Sequence, residues 1–166
     1  MNEYANLEQS IEIAHFEIKL FDWFHFGAKP FECNGLDEDA KDFYLKHNKL
    51  PKPCDECYKA LIFWDRSFSD ENLGNFFKMI NSLDFEYDGK LNNGVIVFYF
   101  RTKDECLQFV DFLKKKTVEF NVKGIVQWQR ACKEFRVFKP ELWKNAKEFI
   151  PDMQTIKPHK GRQLTF

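Results

Sequence analysis

FEYDGKLNNGVIVFYF (Phe85–Phe100) is the stretch on which the fold of this chain turns. Its second half, VIVFYF, is made of β-branched and aromatic residues, the types that fit a pleated, half-buried surface. Asp88-Gly89 and Asn93-Gly94 each supply residues that tolerate positive φ, so the stretch is predicted to be a β-hairpin turning at one of these pairs. Along the outgoing strand Ile96, Phe98 and Phe100 point to one face and Val95, Val97 and Tyr99 to the other. Both faces are apolar, so both need a cover.

The flanks follow the same grammar. Upstream, KALIFWD (Lys59–Asp65) is a buried strand in which Ala60, Ile62 and Trp64 oppose Leu61 and Phe63. Between it and the hairpin, Ser67 or Ser69 caps a helix whose Leu73, Phe76, Phe77, Ile80 and Leu83 recur at helical spacing. Downstream, Thr102-Lys103-Asp104-Glu105 fits a capping box, followed by a core stripe of Cys106, Phe109, Val110 and Leu113. VKGIVQWQ (Val122–Gln129) is a further strand, EFRVF (134–138) its hairpin partner, and Pro140 opens a C-terminal helix with Leu142, Trp143, Ala146, Phe149 and Ile150 inward. The order β-α-β-β-α-β over residues 59–129 is that of the ferredoxin-like split motif, an α+β class, with crossover helices long enough for the right-handed connection that parallel pairing requires.

The first third is helical by periodicity. Leu7, Ile11, Ala14, Ile18 and Phe21 form one stripe, and Ile13, Phe16, Leu20 and Phe24 a second, so a helix over 7–24 is apolar around much of its circumference. Gly27 and Pro30 stop it. Two crossover helices cover one face of the sheet, and this helix is the expected cover for the other, giving three layers. A homodimer through that second face is the competing explanation. Asn34 or Asp37 caps a short second helix with Phe43 and Tyr44 inward, ended by Leu50-Pro51-Lys52-Pro53. The expected organisation is one α/β domain over 1–150, with a helical N-terminal layer over 1–58 and the sheet over 59–150, and then a mobile basic tail over 151–166.

Composition removes several function classes. Twenty-five basic residues nearly balance 26 acidic ones, so no net field draws nucleic acid or anionic lipid to the molecule. No apolar run is long and uncharged enough to span a membrane, and no leader pattern opens the chain, so the expectation is a cytoplasmic protein. GxGxxG, P-loop, HExxH and GxSxG patterns are absent.

Chemistry concentrates in the cysteines. Cys54-Asp55-Glu56-Cys57 is a CxxC pair, the turn that lets two sulfurs grip one ion, and Cys33 with His47 completes a Cys3His set of the kind that holds zinc. His25 is the alternative fourth ligand. Four protein ligands leave no open coordination position, so the zinc would be structural, tying residues 1–58 to the sheet. The plain alternative is buried thiols packed as small hydrophobes, and this is the expectation for Cys106 and Cys132.

Two further constellations complete the reading. His15 and Asp22 stand seven apart on the first helix, the arrangement of a histidine held by a carboxylate, and would serve a metal-dependent enzyme. A split β-α-β sheet also suggests RNA binding by an RRM-like module, but Val95 and Val97 occupy the positions where that module stacks bases. Lys114, Lys115, Lys116, Lys157, Lys160 and Arg162 are the candidate phosphate contacts. The leading expectation is a non-enzymatic module that binds a protein partner or a small ligand, with nucleic-acid binding and metal-dependent catalysis as alternatives.

Overall fold

The structure is a computed structural model, and it describes residues 4–27, 37–83, 87–132 and 134–139. Among these residues the chain forms an α+β fold with one five-stranded, wholly antiparallel sheet. The elements run α1 (Leu7–Phe21), β1 (Phe24–Phe26), α2 (Glu38–His47), β2 (Tyr58–Phe63), α3 (Asp70–Asn81), β3 (Gly89–Leu91), β4 (Val95–Phe100), α4 (Lys103–Glu119), β5 (Ile125–Arg130) and α5 (Glu134–Phe138). The strand order across the sheet is β1-β3-β4-β2-β5.

Local chemistry sets most boundaries. Asn6, Asp37, Ser69 and Thr102 cap α1, α2, α3 and α4, each side chain accepting a hydrogen bond from an amide in the first turn. Asp22 and Asn48 close α1 and α2 in the left-handed conformation, which short polar side chains tolerate. The hairpin turns at Asn92, whose carboxamide oxygen accepts from Gly94 N at 2.8 Å and Val95 N at 3.0 Å. The indole of Trp64, at the end of β2, donates to Asn92 O at 2.7 Å and fixes that turn against the sheet.

Register assigns the two faces. Phe24, Leu91, Ile96, Ile62 and Val126 lie in one cross-strand row, and Phe26, Gly89, Phe98, Ala60 and Trp128 in the next on the same face. Helices α3 and α4 cover this face through Leu73, Phe76, Phe77, Met79, Cys106, Phe109, Val110 and Leu113, forming the main core. On the opposite face Leu61, Phe63, Val95 and Val97 are buried within the single chain, with Trp23 and Tyr99 half-buried against them. Their burial therefore does not require a second copy.

Several expectations are corrected. The predicted parallel pairing does not occur: β2 and β3 run parallel but are separated by β4, and β4 and β5 are separated by β2, so every hydrogen-bonded pair is antiparallel. The first helix does not cover the second face. It packs on α3, where Ala14 is fully buried and Gly74 lets Ile11 approach, and so extends the layer already present. Its second stripe consequently faces solvent, with Ile13, Phe16 and Leu20 all exposed, as is Phe21 at the end of the first stripe. The helix stops at Phe21, and Phe24 belongs to β1, an edge strand that pairs with β3. EFRVF is α5 and not a hairpin partner, because Ala131 (φ 53°) turns the chain off the sheet and Phe135 inserts against Tyr44 of α2 at 5.0 Å. The helix expected after Pro140 and the tail over 151–166 lie outside the described residues. Among the described residues, no helix is long and apolar enough to cross a membrane.

Candidate ligand-binding site

The predicted zinc set lies partly outside the described residues. Cys33 lies outside the described residues. Cys54 and Cys57 are both buried on either side of a single 3-10 turn at the foot of β2. Cys54 packs with Tyr44, Cys132 and Phe135, while Cys57 lies near enough to Cys106 to disfavour its ionisation. His47 ends α2, exposed, with its ring 4.6 Å from Phe43. His25 is exposed on β1 opposite Lys90, and burial followed by the Lys90 ammonium lowers its pKa, favouring the neutral imidazole. Among the described residues, no three His, Cys, Asp or Glu side chains group as metal ligands would.

The remaining predicted residues sit apart as well. His15 does find a carboxylate, but it is Asp70 at the first turn of α3, with Nε2 and Oδ1 2.6 Å apart, while Asp22 serves as the C-cap of α1. That contact is exposed and bridges two helices. Lys114 and Lys115 are exposed on α4, and Lys116 pairs with Glu119 at 3.0 Å. Lys157, Lys160 and Arg162 are outside the described residues.

A cleft that the sequence reading passed over is formed where β4 ends. Strand β3 is only three residues long and pairs with Ile96–Phe98, so Tyr99 and Phe100 run past its start, with Tyr99 N still donating to Asp88 O at 3.1 Å. Two residues later the Thr102 cap starts α4, holding the first turns of the helix beside the end of the strand. Glu105, Gln108, Phe109 and Phe112, spaced at i, i+3, i+4 and i+7, then present one helical face to the gap. The result is a cleft of about 560 Å³ lined by Tyr87, Asp88, Tyr99, Phe100, Arg101 and this stripe.

Its layers are chemically distinct. Tyr87 and Phe109 are buried at the floor, with centroids 4.5 Å apart, and Phe100 and Phe112 flank Phe109 at 5.0 and 5.8 Å. Phe100 and Phe112 are half-buried walls, and Tyr99 borders the cleft from a strand position whose ring packs on the opposite face of the sheet, whereas Arg101, Glu105 and Gln108 are exposed at the rim and Asp88 is half-buried. Such an arrangement supplies apolar, polarisable surface for a planar group and polar atoms that can orient it. The available sequence signal was the close succession of strand-end aromatics, the arginine that follows them, and an aromatic i, i+3 pair on the following helix.

A second polar cluster lies on the opposite face of the sheet. Lys59, Gln127 and Gln129 are buried there, Lys59 Nζ donating to Cys132 Sγ at 3.5 Å and Gln129 Nε2 to Ala131 O at 2.7 Å. This arrangement fastens the start of β2 to the end of β5. Comparison of the chain with known protein families, with curated proteins and with solved structures gives no match.

Proposed function

We propose that the protein is a non-enzymatic binding module whose small ligand occupies the cleft between the end of β4 and α4. The observation that carries this reading is the aromatic lining: the rings of Tyr87, Phe100, Phe109 and Phe112 cluster at a space of about 560 Å³, inside the range of roughly 300–1,000 Å³ typical of small-molecule sites. In the finer description the sheet is ferredoxin-like, supported by the order β3-β4-β2-β5 with antiparallel neighbours and by the two crossover helices on one face. A structural zinc on Cys33, Cys54, Cys57 and His47 belongs to the same proposal. It rests on the CxxC spacing and on the burial of Cys54 and Cys57, and zinc in equimolar amount on elemental analysis is the expected result. Metal-free pure protein would remove it.

The cleft is tested by thermal denaturation with a set of planar aromatic fragments. A ligand that binds the folded state alone raises Tm by mass action. Fragments are expected to raise the Tm of the native chain and to lose this effect in Gln108→Trp, which fills the mouth from an exposed helix position. Equal shifts in both proteins, or none in either, would defeat the proposal.

A further inference from the structure

If the cleft is a binding site, the charges around it specify its occupant. Asp88 and Glu105 contribute two carboxylates and Arg101 one guanidinium, so the lining sums to −1 whatever pairs form among them. Arg101 stands at the exposed rim, where water screens it, while Asp88 is half-buried and its field is less screened. The walls act in the same direction. The faces of Phe100 and Phe112 carry the negative lobe of the ring quadrupole and attract cations, and this attraction strengthens as the site loses water. Two independent electrostatic terms thus favour one sign of ligand.

We infer that the cleft takes a planar aromatic cation, a heteroaromatic ring with a permanent positive charge of the pyridinium or quinolinium class. Its ring lies against the aromatic wall and its charge is balanced by Asp88 and Glu105. An anionic aromatic of the same size meets a net negative rim and the negative faces of the rings, with the screened Arg101 of the lining in its favour and, beyond Phe112, Lys116, whose charge is paired with Glu119.

The experiment is calorimetric titration of the full chain with three probes of matched shape: N-methylquinolinium, quinoline above neutral pH where it is uncharged, and 2-naphthoate. The cation is expected to bind about tenfold more tightly than the neutral probe, and the anion more weakly than either. Asp88→Asn with Glu105→Gln should weaken binding of the cation severalfold while leaving quinoline unchanged, the preference that remains being that of the rings. Because Glu105 is exposed, Glu105→Gln alone carries the test if the double variant fails to fold, with a smaller drop expected. Equal affinity for cation and neutral probe, or tightest binding by the anion, overturns the inference but leaves the cleft as a site. Binding of none of the three overturns both.

Discussion

Gly89 shows how a single residue can be misread from its neighbours. Asp88-Gly89 has the chemistry of a turn, yet Gly89 lies inside β3, with the Phe26 ring on one side and the Val97 carbonyl on the other. A Cβ there would overlap both groups. Gly89→Ala is therefore expected to cost about 2 kcal/mol or more in urea denaturation, as overpacking does, and an unchanged midpoint would refute the close approach. Cys106 gives a pH prediction. Burial on α4, reinforced by Cys57, pushes its thiol from an ordinary 9.0 up to about 12. The unfolded chain therefore loses this proton first, so the stability Cys106 contributes is full below pH 9.0 and is lost as pH rises from there towards about 12. Cys106→Ala should show a shallower alkaline decline than the native chain, and parallel pH profiles would contradict the assignment. Neither the reach of Phe26 nor the proximity of Cys57 was visible in the sequence, because both depend on pairings between distant segments.

At the scale of elements, the legible parts were those fixed by local rules. Ser67 or Ser69 marked the start of α3, where Ser69 is the cap, Thr102 declared that of α4, and VIVFYF declared β4, because capping and side-chain type act over a few residues. β1 was not legible: Phe24 continues a helical stripe as well as it begins a strand, and pairing with β3 decides the matter from more than sixty residues away. The same limit explains His15, whose carboxylate is supplied by α3 and not by its own helix. The two stripes of α1 were correctly seen as apolar, but only the one containing Ala14 packs on the core, through Leu7, Ile11, Ala14 and Ile18. Phe16 and Leu20, 62% and 57% exposed, should accordingly contribute little to stability. Phe16→Ser and Leu20→Ser are expected to shift unfolding by no more than about 0.5 kcal/mol, the usual range for surface substitutions. Losses of several kcal/mol would mean that this stripe is covered.

For the whole molecule, the crossover helices do two jobs. They bury one face of the sheet, and α4, held against the end of β4 by its cap, leaves a gap that the short β3 does not fill. The cleft residues come from three segments, 87–88, 99–101 and 105–112, and each is of a type equally at home in a core. No motif marks them, which is why composition and spacing favoured the cysteines instead. The central claim is that this gap binds a ligand, and backbone amide NMR titration with N-methylquinolinium tests it most directly. The account predicts saturable shifts concentrated at Tyr87–Asp88, Tyr99–Arg101 and Glu105–Phe112. Shifts that map to another surface, or a spectrum that does not change, would contradict it.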